Sequence, residues 1–171
     1  MSQTKLKVLV MEQELTLFDE LADFCEKKGF DVLYNEQHKP VQSYEEAVQL
    51  VETKLPDLAI LDVQLKSGKD GIDLGAYIRK HFFTPVIFLS ANDDFPELER
   101  ASSIAANGFV IKAEKPIDKD QLWISIRLAM PLAELKKKRK IISTSFKVQA
   151  INPLEYFSSR IIKGIQRPEL A

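Results

Sequence analysis

Cysteine is almost missing from this chain: Cys25 stands alone among 171 residues. No internal disulfide framework is available, and the thiol is expected to serve packing in a reducing compartment. Long apolar runs are missing as well. No stretch approaches the roughly 18 residues that a membrane span needs, and no apolar segment behind basic residues opens the chain as a leader would. A cytoplasmic protein without a membrane partner is expected. Charge of one sign is not in excess, since 24 basic and 25 acidic residues leave a net charge of −1. No global field draws the chain to nucleic acid or lipid, so either partner would need a local patch. Glycine-rich phosphate loops are also lacking. After the first apolar run stand Glu12, Gln13 and Glu14 where a dinucleotide enzyme carries Gly-x-Gly-x-x-Gly, and Ser67-Gly68-Lys69-Asp70-Gly71 lacks the P-loop spacing.

What the chain does contain is 45% hydrophobic and 29% charged residues, enough for one good core and a small appendage. Five short apolar runs recur: Leu6 to Met11, Phe30 to Tyr34, Leu58 to Leu61, Val86 to Leu89, and Phe109 to Ile111. Helical patterns separate them, which argues for a parallel sheet covered on both faces. Leu17, Leu21 and Phe24 mark a first helix, stopped at Gly29. Ser43 and Glu46 read as a capping box for a second helix carrying Ala47, Leu50 and Val51 and ended by Pro56. Ile72, Ala76 and Ile78 mark a third, and Leu122, Ile126 and Leu128 a fifth that starts near Asp118. The fourth has a weak apolar set, Leu98, Ala101, Ile104 and Ala105, so an exposed and mobile element is expected there. Five βα units in about 130 residues suit an α/β, doubly wound, five-stranded parallel sheet of the flavodoxin-like kind, order 2-1-3-4-5, with a short C-terminal extension.

In that topology Glu12 and Gln13, Asp62, Ser90 and Lys112 converge on one sheet rim, where open α/β sheets bind ligands. The five segments that carry these residues are Val8-Leu9-Val10-Met11-Glu12-Gln13-Glu14, Pro56 through Asp62, Asp70-Gly71-Ile72-Asp73-Leu74, Pro85 through Ala91, and Gly108-Phe109-Val110-Ile111-Lys112. In this order and spacing they resemble the receiver domain of two-component response regulators, over roughly Lys5 to Met130. The resemblance implies a phosphoacceptor signalling switch in which Asp62 accepts phosphoryl from a histidine kinase or phosphotransfer protein. It implies Mg²⁺ held by Glu12, Asp62 and the backbone carbonyl of Gln64, with Lys112 and Ser90 on the phosphoryl oxygens. Ser90 and Phe109 become a switch pair that alters the face of helix four, strand five and helix five, a face that serves homodimers across the family. A dedicated enzyme is not expected: an aspartyl-nucleophile phosphatase favours a second Asp where Gln64 stands.

Three departures qualify the resemblance. Gln13 replaces the second acid of the family's pair, so Mg²⁺ should bind weakly, with Glu14 aimed elsewhere. This substitution also supports an alternative, a pseudo-receiver that binds proteins without phosphorylation. Lys115-Pro116 competes with Lys112 for the phosphoryl-ligand position, although Lys112 keeps the aromatic three positions ahead. The loop Gln64 to Asp70 is long, and a solvated loop is expected. Beyond the receiver, residues 1–131, the stretch 132–171 reads as a linker or appendage, or the start of an effector that would bring any nucleic-acid binding. Pro131 should end or kink the fifth helix, the run Lys136 to Lys140 should be a solvated linker, Ile141 to Val148 reads as a strand, and Pro153 opens a further helix.

Overall fold

The computed structural model describes residues 5–65, 69–91, 95–104, 106–112 and 117–149, without the side chains of Phe95 and of residues 136–149. Strands and helices alternate: β1 Lys7–Met11, α1 Leu15–Lys27, β2 Asp31–Leu33, α2 Tyr44–Lys54, β3 Leu58–Asp62, α3 Gly71–Phe82, β4 Val86–Ser90, α4 Phe95–Ser103, β5 Gly108–Ile111 and α5 Lys119–Gln149. The strands form one parallel sheet in the order β2-β1-β3-β4-β5, as the sequence predicts. β3 and β4 are buried along their whole length, which is why they read as continuous apolar runs.

Alternation along each strand divides the core in two. Val8, Val10, Leu58, Ile60, Ile87, Leu89 and Val110 join Phe18 and Leu21 of α1 and Leu122 and Ile126 of α5. Leu9, Met11, Ala59, Leu61, Val86 and Phe88 pack instead with α2, with Leu74 and Ile78 of α3, and with Ala101 of α4. Each fully buried aliphatic side chain contributes about 2 kcal/mol by leaving water. Cys25 belongs to the first layer and is fully buried, and burial pushes its thiol up to about 12. It is an inert packing group.

Local signals account for the helix ends. Gly29 takes φ +89° just past α1, a left-handed geometry natural to glycine. The capping box expected on α2 closes in one direction: Ser43 Oγ accepts from the Glu46 amide at 3.2 Å, but the Glu46 carboxylate accepts from Gln42 N and Asn35 Nδ2. Those donors hold it to the preceding loop. A reciprocal box caps α3, where Asp70 and Asp73 each accept the other's backbone N–H.

α5 departs from expectation at three points. Leu128 faces outward, 71% exposed, and Ala129 takes the inner position, because the buried set Leu122, Ile126, Ala129 and Ala133 follows a 4-3-4 spacing. Of the two outcomes expected at Pro131, an end or a kink, the end does not occur, since the helix passes through it. Leu132, Ala133, Glu134 and Leu135 after it are strong helix formers, and buried Ala133 anchors that turn to the core. Ile141 to Val148 is helical rather than a strand, continuing the helix from the Lys-rich segment in which the preference for β structure is weak. By its contacts the chain divides into two compact units, Met1–Lys136 and Lys137–Ala171. The helix proposed to start at Pro153 lies outside the described residues.

Candidate functional site

Register explains how distant residues meet. Met11 pairs with Leu61, Asp62 with Leu89, and Ser90 with Ile111, so Glu12, Asp62, Ser90 and Lys112 all stand at the C-terminal rim. Their parity then separates them. Glu12, Asp62 and Lys112 continue the alternation of Val10, Ile60 and Val110, on the side of the sheet covered by α1 and α5. Ser90 continues that of Phe88, on the side of α3 and α4. Two strand spacings, roughly 10 Å, separate β5 from β3, a distance that the four-carbon stem of a lysine helps to span.

Lys112 Nζ lies 2.7 Å from Asp62 Oδ2 and 3.0 Å from Glu12 Oε2. Asp62 is 4% and Glu12 2% exposed, so both carboxylates depend on the donors around them. The Gln64 amide donates to Asp62 Oδ1 at 3.1 Å, and the Glu14 amide donates to Glu12 Oε1 at 3.0 Å. Burial pushes the Asp62 carboxyl above its ordinary range; the Lys112 hydrogen bond pulls it down, and the Glu12 charge pushes it up again. For Lys112 burial acts downward, but the hydrogen bond and charge of Asp62, and then of Glu12, outweigh it and raise the pKa. The ammonium therefore stays charged between two acids.

Gly71 sets the floor of the site. A Cβ there would overlap the Asp62 carbonyl oxygen and crowd Val63 Cα, and the Gly71 amide donates to Val63 O at 2.9 Å. Any larger residue would displace the backbone that presents Asp62.

Glu12, Gln13, Glu14, Asp62, Gln64 and Leu65 line an open hollow beside the carboxylates. Two carboxylates with amide and carbonyl oxygens nearby are hard donors that fit Mg²⁺, which takes few protein oxygens and keeps several waters. Gln13 Nε2 donates to Gln42 O at 3.3 Å, and Glu14 accepts from Thr16 Oγ1 at 2.8 Å. Among the described residues no group of three or more acidic, His or Cys side chains is placed to hold a metal ion.

Ser90 is fully buried, and its Oγ donates to Glu97 Oε2 at 2.8 Å. Phe109 is half-buried, packed against the layer that includes Phe88 and Ala101. Lys115 and residues 66–68 of the loop lie outside the described residues. Sequence reasoning missed Glu97 and the ion pairs of Arg100 to Asp70, at 2.6 Å, and to Asp73, at 3.3 Å. Glu97 carries no motif signal, because its reach to Ser90 depends on how α4 is set down.

Comparison with known proteins agrees with this geometry. The family model described as the response regulator receiver domain matches residues 8–127, and the chain belongs to that family. It is 29% identical over 121 residues to the sensory transduction protein BceR of Halalkalibacterium halodurans, covering 71% of this chain and 48% of that protein. It is 30% identical to the regulatory protein VanRc of Enterococcus gallinarum, covering 66% and 46% respectively. The chain thus spans about half the length of these relatives. Among solved structures, the signal receiver domain of a modulated diguanylate cyclase from Desulfovibrio desulfuricans G20 superposes with a TM-score of 0.66 at 27% identity, covering 78% of this chain and 99% of that one. Receiver domains are signalling modules of two-component systems that bind Mg²⁺ in their acidic pocket and meet histidine kinases or phosphotransfer proteins. No helix among the described residues is long and apolar enough to cross a membrane.

Proposed function

We propose that this receiver is a cytoplasmic phosphoacceptor switch in which Asp62 is the nucleophile. The observation that carries the reading is the Glu12, Lys112 and Asp62 cluster, with Lys112 2.7 Å from the acceptor carboxylate. An oxygen of Asp62 forms a bond to phosphorus as the bond from phosphorus to the donor, a phosphohistidine nitrogen or the oxygen of acetyl phosphate, breaks; the donor keeps the electron pair. Position and charge neutralisation carry most of such a reaction. Lys112 neutralises the transferred group, Ser90 donates its hydroxyl to a phosphoryl oxygen, and Phe109 follows Ser90 inward. Glu12, Asp62 and the Gln64 backbone carbonyl would hold Mg²⁺, which supplies further positive charge when bound. Water later cleaves the acyl phosphate, and this slow autodephosphorylation resets the switch.

Gln13 weakens the metal site, because an amide brings no charge to offset dehydration of the ion. With acetyl phosphate and rising Mg²⁺, intact-mass measurement should show one added phosphoryl group, half-maximal at a metal concentration that Gln13→Asp lowers about tenfold. Absence of the adduct at every concentration would favour the second reading, a phosphorylation-independent protein-binding module, for which Gln13 is the specific support.

Leu98 of α4, Ile111 of β5 and Ile124, Leu128 and Leu132 of α5 are all exposed, and these apolar side chains support a homodimer through those elements. Residues 1–131 act as the receiver and 132–171 as its appendage, leading toward any output segment. Sedimentation with and without beryllofluoride is expected to shift from monomer to dimer on adding the phosphoryl mimic; an unchanged coefficient would remove the dimer from this account.

A further inference from the structure

The Ser90 hydroxyl is engaged with a carboxylate of α4. Ser90 Oγ donates to the carboxylate of Glu97 at 2.8 Å, and Ser90 is fully buried. Charge strengthens such a bond to about twice a neutral one. Glu97 lies in the first turn of α4, so this hydrogen bond links the end of β4 to the start of that helix.

Among its described side chains α4 has little else of an apolar kind to fix it. Of its described side chains Ala101 is buried, whereas Leu98 is 44% exposed. Its other ties among the described residues include polar ones: Arg100 forms two hydrogen bonds to the Asp70 carboxylate, at 2.6 and 3.2 Å, and one to Asp73 at 3.3 Å. Those pairs are substantially exposed and individually weak. The Ser90–Glu97 bond has its donor buried, and so carries more than those exposed pairs.

We propose that Glu97 is a positioning residue that latches the Ser90 hydroxyl toward α4, so that phosphorylation at Asp62 and seating of α4 compete for one hydroxyl. This rests on the phosphoacceptor reading given above. Ser90 has a single O–H to donate. When that proton turns to a phosphoryl oxygen, Glu97 loses its donor, and α4 loses a tie that its described neighbours, buried Ala101 and the exposed Arg100 pairs, do not replace. The latch thus lowers affinity for the phosphoryl mimic and couples it to release of the helix, since ligand and latch draw on opposite states of one group.

The test is a double-mutant cycle on beryllofluoride affinity, using the full chain with Mg²⁺ and checking each variant's fold by circular dichroism. Glu97→Ala is expected to bind beryllofluoride about tenfold to a hundredfold more tightly than the parent, the scale of one hydrogen bond to a charged group. Glu97→Gln, which keeps an acceptor without the charge, should fall between them. In a Ser90→Ala background the Glu97→Ala effect should vanish. A folded Glu97→Ala protein that binds the mimic no better, or that keeps its gain without Ser90, overturns the latch. Hydrogen exchange in the unliganded state separates this outcome from failure of the phosphoacceptor reading. If the parent binds no mimic at all, the latch still requires faster amide exchange in α4 for Glu97→Ala than for the parent, and equal exchange overturns it.

Discussion

Asp62→Asn is expected to end phosphoryl acceptance from acetyl phosphate, leaving the intact mass unshifted under conditions that modify the parent. The same variant should be more stable at pH 7, by about 1 kcal/mol, because functional sites hold groups that strain the fold. The sign follows from linkage. Burial raises the Asp62 carboxyl in the folded state, so between the unfolded and folded pKa the native protein binds more protons and loses stability as pH rises. Above the folded pKa that loss is complete, and an asparagine escapes it. The advantage of Asp62→Asn in urea unfolding should therefore be present at neutral pH, fade as pH falls through the raised folded value, and be gone below the ordinary aspartate range. A variant that still gains a phosphoryl group would move the acceptor elsewhere.

Lys112→Met should act in the opposite direction on stability. It leaves Glu12 and Asp62, 2% and 4% exposed, without the ammonium that lies within 3.0 Å of both. Removing one partner of a buried ionic group typically costs about 3 kcal/mol, and a melting temperature roughly 10 °C lower is expected for a domain of this size. The deficit should shrink on acidification, as the unpaired carboxylates take up protons. In the parent, the raised pKa of Lys112 means that its contribution is fully present below the unfolded lysine value and is lost as pH climbs through the folded one. Phosphoryl acceptance should slow by about 100-fold, the usual loss when a preorganised charge is removed from a transfer site. Thermal melts across pH, with a rate measurement at neutral pH, check both parts.

The sheet was legible because burial on both faces writes an uninterrupted apolar run into each strand, as in Leu58–Asp62 and Val86–Ser90. The rim cluster was legible for a related reason: Glu12, Asp62 and Lys112 each stand immediately after or at the end of such a run, so strand order alone brings them together. Helix surfaces were less so. Leu128 belongs by composition to a core, but the inner stripe of α5 passes through Ala129 and Ala133, small residues that carry little hydrophobic signal. Pro131 marks a break only if its neighbours do not favour helix, and here they do. The Ser90–Glu97 bond was not readable at all, because it links residues seven apart through the setting of a helix that few apolar contacts fix.

Peptide mapping after treatment with acetyl phosphate and saturating Mg²⁺ decides whether Asp62 is the acceptor. One phosphoryl group is expected, on the peptide carrying Asp62 and on no other, disappearing with time as water attacks it. A protein that folds correctly yet carries the group on another residue, or takes none up at saturating metal, would contradict the claim that this rim of carboxylates and ammonium is a phosphoacceptor.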